Sequence, residues 1–168
     1  MARKPSSMYR YVRGQPSTRR EYMGGVPNPR ITQFDMGNKN TKFQLRLSLT
    51  ADETCQIRHI ALEAARITAV RTLERYVGKS NFHFRIHVYP HFVLRENKQA
   101  TGAGADRISQ GMSQSFGRAV GSAARVYPHQ VIMTVETSQQ FLNYSKQALR
   151  KAGMKLPTHC TIKMLPNT

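Results

Sequence analysis

Residues 43–89, FQLRLSLTADETCQIRHIALEAARITAVRTLERYVGKSNFHFRIHVY, carry the most regular hydrophobic pattern of the chain. At both ends apolar side chains occupy alternate positions, and this period of two predicts a half-buried strand at each end. The first strand has Phe43, Leu45, Leu47 and Leu49 on one face, and the second has Phe82, Phe84, Ile86 and Val88. Pro90 closes or bends the second strand because proline cannot donate a ladder hydrogen bond.

Between these strands the sequence predicts a helix. Thr50 and Glu53 stand three residues apart, the spacing of a capping box, and Gly78 supplies a stop. The predicted inner stripe consists of Ile57, Ile60, Ala61, Ala64 and Ile67. Arg58, Arg66 and Arg75 lie off that stripe, so one face is expected to pack while another stays basic.

The second half of the chain repeats this order. Val131, Met133 and Val135 predict a strand, residues 138–152 predict a helix, and residues 161–165 predict a last short strand. Strand, helix and strand thus occur twice, separated by a glycine-bearing interval. The predicted fold class is α+β, a mainly antiparallel sheet with two packed helices, in a single domain over residues 41–168.

Residues 1–40 have a different composition from this domain. Pro5, Pro16, Pro27 and Pro29 break any helical pattern, and no apolar period is visible, so extended chain is expected. The first 30 residues hold seven basic residues against Glu21 alone. Tyr9, Tyr11 and Tyr22 lie among the arginines, a mixture typical of a segment that becomes ordered on RNA.

Charge restricts the classes of partner. The chain has 26 Lys and Arg against 9 Asp and Glu, a net charge of +17 over 168 residues. Such self-repulsion favours a polyanionic partner. Arginine predominates over lysine, and its planar donor fork suits phosphate oxygens and exposed bases.

Residues 97–106 predict a protruding, mobile loop. Small residues dominate from Gln99 to Ala105 and bury little, so the backbone can approach another surface closely. A short helix is expected around residues 106–116. Basic residues flank the neutral tip on both sides: Arg95, Lys98, Arg107, Arg118 and Arg125.

Enzyme-like patterns in the chain are incomplete. Gly78-Lys79-Ser80 lacks the first glycine of a phosphate loop, since Leu73 stands there, and Arg107 replaces the last glycine of a GxGxxG at Gly102. His83 and His87 share a strand face, but their backbones would stand about 13 Å apart, too far to ligate one zinc ion. They are expected at the surface or facing RNA. No catalytic residue, metal site or cofactor is predicted.

Membrane and secretory classes are not favoured. No run approaches the ~18 apolar residues of a spanning helix, and the charged N-terminus has no apolar segment behind it. A cytoplasmic protein is expected. Cys55 and Cys160 form no CxxC pair, so two reduced, packed thiols are expected in place of a zinc module.

Several stretches together resemble one family. RENKQATGAGADRISQGM from Arg95, SFGRAVGSAARV from Ser115, HQVIM from His129, MYRYVRGQPSTRREYMGGVPNPRI from Met8 and LEAARITA from Leu62 are similar to the archaeal ribosomal protein family L ten e. Its bacterial counterpart is L sixteen. The resemblance covers nearly the whole chain, with its motifs in the family's order.

The resemblance implies a structural protein of the large ribosomal subunit with an α/β-hammerhead type of fold. It implies a site on large-subunit ribosomal RNA between the central protuberance and the base of the factor stalk, beside neighbouring ribosomal proteins. It also implies that the internal loop points toward transfer RNA near the peptidyl transferase centre. No homo-oligomer is expected.

Residues and resemblance together give two sets of candidate site residues. The candidate ribosomal RNA contacts are Arg3, Lys4, Tyr9, Arg10, Tyr11, Arg13, Arg19, Arg20, Arg30, Arg95, Lys98, Arg107, Arg118 and Arg125. The candidate transfer-RNA-facing loop is Gln99, Ala100, Thr101, Gly102, Ala103, Gly104, Ala105 and Asp106.

Two alternatives stay open at this point. A DNA-compacting architectural protein would share the charge but line one duplex-binding face with it. An RNA-modifying enzyme would need a cofactor or an acid/base pair assembled from residues distant in sequence.

Overall fold

The computed structural model describes residues 5–97, 100, 102–108 and 117–165. Its strands are β1 (Asp35–Gly37), β2 (Leu45–Ala51), β3 (Cys55–Arg58), β4 (Phe82–Ile86), β5 (Phe92–Glu96), β6 (Arg118–Val126), β7 (Val131–Thr137) and β8 (Cys160–Leu165). Its helices are α1 (His59–Tyr76), the single turn α2 (Ala105–Ile108) and α3 (Leu142–Gly153). Single 3-10 turns occur at Ser6–Met8, Arg20–Tyr22 and Gln139–Phe141.

The strands form two sheets, and every described strand pair is antiparallel. The five-stranded sheet has the order β1-β4-β7-β2-β8, and the three-stranded sheet has the order β3-β6-β5. α1 and α3 pack against each other and against the sheets. The predicted α+β class with two packed helices is confirmed, although the sequence analysis anticipated one sheet.

The hydrophobic core lies between the helices and the inner faces of both sheets. Several of its largest side chains, among them Leu47, Leu49, Phe82 and Phe84, belong to the strands predicted from alternation. α3, which lies within the predicted helix at residues 138–152 apart from its last residue, buries Ser145, Ala148, Leu149 and Ala152. Ile31 also enters the core and β1 pairs with β4, so the end of the basic N-terminal stretch joins the folded domain.

The predicted start of the first helix is wrong. Thr50 lies in β2, residues 55–58 form β3, and α1 begins only at His59, whose N-cap Arg58 makes no side-chain capping bond. The predicted inner stripe of this helix is also wrong, since Ile57 lies in β3 and not in α1. The helix buries His59, Leu62, Ala65, Ala69, Thr72 and Leu73, while Ile67 is exposed. Gly78, with φ +86°, does follow the helix end as predicted.

Four strands had no sequence prediction: β1, β3, β5 and β6. Two of these, β3 and β6, give weak strand signals. β3 is four residues long, and β6 contains the small residues Gly121, Ser122, Ala123 and Ala124. Neither segment shows the alternation of large apolar residues on which the other predictions depended. Of the short helix expected at residues 106–116, α2 covers the beginning, and residues 109–116 lie outside the described residues.

Candidate nucleic-acid interface

The basic N-terminal segment lies across the three-stranded sheet. The backbone N–H of Gln56 in β3 donates to the Arg10 carbonyl at 2.9 Å, and the N–H of Val93 in β5 donates to the Ser17 carbonyl at 2.9 Å. β3 and β5 are the two outer strands of this sheet. Residues 10–17 therefore pass from one edge of the sheet to the other, and we call them the strap.

Arg125, in the central strand β6, holds the middle of the strap. Its guanidinium donates from Nη1 to the Gly14 carbonyl at 2.8 Å and from Nη2 to the Arg13 carbonyl at 3.1 Å. The same group lies 4.4 Å from the ring centroid of Phe92 on β5. The planar fork is thus engaged by backbone oxygens of the same chain, which makes Arg125 a residue that positions the strap.

Further contacts fix the beginning of the strap. Gln56 Nε2 donates to the Tyr11 carbonyl, and Arg10 pairs with Glu53 at 2.7 Å. Just before the strap, Tyr9 lies under the Arg58 guanidinium, 4.7 Å from it. Tyr9 and Arg10, both candidate RNA contacts, therefore have partners within the protein.

These contacts lie on one face of the sheet. Gln56 and Arg125 are directly opposed across β3 and β6, so their side chains point to the same side. Phe92 opposes Ala123, two residues before Arg125, and therefore shares that side. The alternate residues Cys55, Ile57, Ala124 and Val126 belong to the core. The strap thus covers the outer face of the three-stranded sheet.

The other N-terminal candidates remain open to solvent. Tyr11, Arg13, Arg19, Arg20 and Arg30 are exposed. Because the strap's carbonyl groups face Arg125, the chain is held by its backbone and its arginine side chains stay available for a ligand. Arg3 and Lys4 lie outside the described residues.

His59 ties the end of the N-terminal segment to the sheet. Its Nδ1 accepts a hydrogen bond from the Arg30 N–H at 2.8 Å, and its ring leaves no room for a side chain at Gly121, where an added Cβ would stand 2.9 Å from Nε2. Burial, together with the nearby charges of Arg58 and Arg30, lowers the pKa of His59. The neutral ring is therefore favoured, as an accepting Nδ1 requires.

The predicted loop leaves the same sheet. Residues 97–117 join β5 to β6, so the loop extends from one end of this strand pair. Gly117, with φ +142°, is required there, since a Cβ would stand 2.5 Å from the Glu96 carbonyl carbon. Arg95 donates to the Ser17 hydroxyl at 3.4 Å, a contact that brings the strap's end to the loop base.

The described loop residues are mostly open. Ala100, Gly102, Ala103 and Arg107 are exposed, and Gly104 and Ala105 are half-buried. Arg118, opposite Glu96 at the start of β6, is exposed as well. Asp106 lies in α2. Lys98, Gln99 and Thr101 lie outside the described residues.

The outer face of the five-stranded sheet uses its charges differently. His83 contacts Asp35 through Nε2 at 2.5 Å and Glu136 through Nδ1 at 3.2 Å, and Arg46 lies 3.5 Å from Glu136. Burial opposes ionisation of Asp35, but hydrogen bonds from His83 and Lys39 outweigh burial and lower the pKa of Asp35. His83, expected at the surface or facing RNA, is thus held by two carboxylates.

The two cysteines and His87 have structural surroundings. Cys55 and Cys160 are free thiols, and burial raises the pKa of Cys55 to about 11 and that of Cys160 to about 12. Both are therefore protonated at neutral pH and poor nucleophiles. His87 Nε2 lies 2.9 Å from the Thr134 hydroxyl, and its pKa is lowered by burial and by Arg85.

The part of the chain that the structure describes contains neither a cluster that could bind a metal ion nor a membrane-spanning helix. Within those ranges, no cluster of three or more His, Cys, Asp or Glu side chains could hold a metal ion. Within the same ranges, no helix is long and apolar enough to cross a membrane.

Of the residues that anchor the strap, the sequence marked Arg125, as a candidate RNA contact, and missed Gln56, Arg58 and Phe92. Gln56 and Arg58 belong to a strand that was predicted as helix, and Phe92 and Arg125 meet across an unpredicted sheet. One local signal was present, because Gln56 and Arg58 alternate with the apolar Cys55 and Ile57.

Comparison with known proteins connects this arrangement with one family. The family model described as "Ribosomal protein L16p/L10e" matches residues 12–163. A protein named "Large ribosomal subunit protein uL16" from Methanosphaerula palustris is 58% identical over 158 residues, covering 94% of this chain and 91% of that protein. Its namesake from Thermoplasma acidophilum is 52% identical over 162 residues, covering 96% and 92%. Its namesake from Archaeoglobus fulgidus is 50% identical over 158 residues, covering 94% and 90%.

Proposed function

The chain belongs to the ribosomal protein L16p/L10e family, and from this premise we propose that it is a structural, non-enzymatic protein of the large ribosomal subunit that docks ribosomal RNA on its strap. Its partners in translation are then ribosomal RNA and neighbouring ribosomal proteins. The proposed binding site in the large subunit is the region between the central protuberance and the base of the factor stalk.

The observation that carries this proposal is the orientation of the strap. The Arg125 guanidinium donates hydrogen bonds to the carbonyl groups of residues 13 and 14, while the side chains of Arg13, Arg19 and Arg20 stay exposed. A basic segment whose backbone is already held loses less conformational freedom on binding than a free tail. The protein thus presents a partly preorganised row of cations to phosphate.

Electrostatic attraction supplies affinity in this mechanism, and RNA shape supplies specificity. Arginines that contact phosphates release counterions, which makes binding depend on salt. Specificity then comes from the shape of the folded RNA, whose phosphate backbone must fit the strap-covered face of the protein. Arg107 and Arg118 would extend the proposed contact toward the loop end of the three-stranded sheet, and Arg30 toward its junction with α1.

We propose a second role for the loop at residues 97–106. Its basic flanks, Arg95, Arg107 and Arg118, would lie near ribosomal RNA, while the small residues of the tip reach toward transfer RNA near the peptidyl transferase centre. The loop starts beside the strap's end, where Arg95 meets Ser17, and this contact couples the two proposed sites.

Removal of three exposed charges, one in the strap and two just after it, tests RNA docking. Binding of a large-subunit RNA fragment from the proposed region would be measured against salt for the triple variant Arg13→Ala, Arg19→Ala, Arg20→Ala. Because each phosphate contact contributes about 0.7 to the log-log salt slope, we expect the slope to become shallower by about 2.

The matched control removes three charges from other surfaces, with Lys39→Ala, Lys79→Ala and Arg85→Ala. We expect this control to retain nearly the parental slope. Equal losses in both triple variants would mean that net charge alone drives binding, and the strap would not be the docking site. A duplex DNA of equal length serves as second ligand, and equal affinity for it would contradict recognition of RNA shape.

Shortening of the loop tests its separate role. A variant that lacks most of residues 99–106 should bind the RNA fragment with the parental affinity but impair transfer RNA binding by reconstituted large subunits. Normal transfer RNA binding by those subunits would reduce the loop to a connector. Loss of fragment binding would instead place the loop within the docking surface.

A further inference from the structure

Two exposed tyrosines form a stacked pair on the helical side of the molecule, away from the strap. Tyr76 is the last residue of α1 and Tyr144 lies in the first turn of α3. Their ring centroids are 5.1 Å apart and their planes differ by 4°. Tyr76 is 41% exposed and Tyr144 is 42% exposed. A parallel aromatic pair is therefore displayed at the surface where the two helices meet.

A cation lies close to this pair. The Arg75 guanidinium stands 5.4 Å from the Tyr76 ring centroid. Tyr76 thus contacts both Arg75 and Tyr144. Both rings are partly exposed, so a further planar group can reach the pair from solvent.

The surroundings favour an anionic partner. Arg71 lies one turn before Arg75 on α1, and both side chains are exposed. The nearest acid in the sequence, Glu74, is already paired with Lys79 at 3.7 Å. Residues 138–168, which include α3, contain five basic residues and no acidic residue. A partner that offers both a planar ring and negative charge fits this surface.

We propose that Tyr76 and Tyr144 form a stacking platform for an unpaired RNA base, with Arg71 and Arg75 binding the phosphates beside it. Stacking on aromatic side chains and contact with arginine are the interactions by which proteins hold single-stranded RNA. The proposal rests on the proposed docking to ribosomal RNA. It adds a second contact on the helices that recognises an unstacked nucleotide, whereas the strap recognises a backbone.

A tryptophan reporter tests base stacking directly. The chain contains no tryptophan, so Tyr144→Trp introduces a single indole within the pair, which can be excited apart from the tyrosines. On titration with the large-subunit RNA fragment, we expect strong quenching of its fluorescence, because a stacked base quenches indole emission. Inorganic polyphosphate and polyglutamate of matched charge should bind weakly and quench little.

The matched control places the reporter on another exposed tyrosine. Tyr127 is 59% exposed and lies on the β6–β7 turn. Tyr127→Trp should show little quenching by the same RNA. Equal quenching at both positions, or equal quenching by polyphosphate, would overturn the platform. Quenching by polyglutamate alone would assign the surface to an acidic protein and would also overturn it.

Affinity measurements separate this proposal from the proposed function. Tyr144→Ala should weaken binding of the RNA fragment at least about five-fold, the lower end of the effect of removing one aromatic stack, while Tyr144→Phe should retain affinity. Thermal melting of both variants establishes that they are folded. If the fragment binds, responds to strap charges and ignores Tyr144→Ala, the platform is refuted and strap docking stands. If the fragment does not bind the parental protein, both proposals fail.

Discussion

The two sheets of this protein have outer faces of opposite character. On the five-stranded sheet, His83, Arg46 and Lys39 are paired with Asp35 and Glu136, so opposite charges satisfy each other. On the three-stranded sheet, Arg58 stacks on Tyr9, and Arg125 binds backbone carbonyls and the Phe92 ring. The basic residues of the five-stranded sheet are thus paired within the fold, whereas Arg125 of the three-stranded sheet holds the strap on which RNA docking is proposed.

The largest effect that separates the two sheets should follow from removing one aromatic ring from each. Phe84 on β4 is fully buried, so Phe84→Ala should lower the free energy of unfolding by about 3–5 kcal/mol. Below its melting temperature the variant should still bind RNA normally. Phe92 is half-buried under Arg125, so Phe92→Ala should cost less stability but weaken RNA binding more. Chemical denaturation and fragment binding measure both quantities, and the reverse ranking would contradict the division of roles.

An intermediate effect is expected from releasing the strap. Arg125→Ala removes two charge-assisted hydrogen bonds to the strap, which should expose it to protease. Trypsin cleavage after Arg13 should become about ten-fold faster, equivalent to about 1.4 kcal/mol of lost protection, and RNA affinity should fall similarly.

Two variants serve as controls for strap release. Arg125→Lys should be intermediate, because an ammonium group cannot span two carbonyls as the guanidinium does. Arg85→Ala, on the outer face of the other sheet, should leave the cleavage rate unchanged. Unaltered cleavage in Arg125→Ala would show that the edge hydrogen bonds alone hold the strap.

The smallest effect should be a separation of the two regions by pH. The pKa of His59 is lowered in the folded state, so its contribution is present above its ordinary value of 6.5 and is lost as pH falls below that value. The pKa of Asp35 is lowered from 3.8, so its contribution persists above 3.8 and is lost only at more acidic pH. Trypsin cleavage after Arg30, whose N–H donates to His59, should therefore increase as pH falls below 6.5, well before the fold unfolds.

Histidine variants assign this transition. His59→Gln should abolish this increase in cleavage below pH 6.5, whereas His87→Gln, which removes the other histidine with a lowered pKa, should leave it in place. A transition that follows His87 would mean that the five-stranded sheet responds to pH first.

The five-stranded sheet was largely predictable from the sequence because its strands carry the alternation that one buried face imposes. β2, β4, β7 and β8, together with α3, follow predicted segments closely. The start of α1 was not predictable in this way. The spacing of Thr50 and Glu53 resembles a capping box and predicted a helix start there. Residues 55–58 instead form β3, because this short strand pairs with β6.

The strap was predictable only as basic extended chain. Its anchors join residues more than a hundred positions apart, such as Arg125 with Gly14, and no local pattern reports such a contact. The sequence therefore identified the exposed arginines as candidates. It could not distinguish them from Arg125, whose guanidinium lies beneath the strap and binds its carbonyl groups. The loop at residues 97–106 was visible by its small residues and basic flanks, since composition alone marks it.

The two backbone hydrogen bonds at the ends of the strap have a consequence for the protein before it meets RNA. Unpaired strand edges attract the edges of other copies and lead to aggregation. The N–H groups of Gln56 and Val93 point outward from the edge strands of the three-stranded sheet, and the strap occupies both. The segment proposed to bind RNA thus also covers part of both sheet edges, and we expect this cover to oppose edge-to-edge pairing of newly made chains before they assemble.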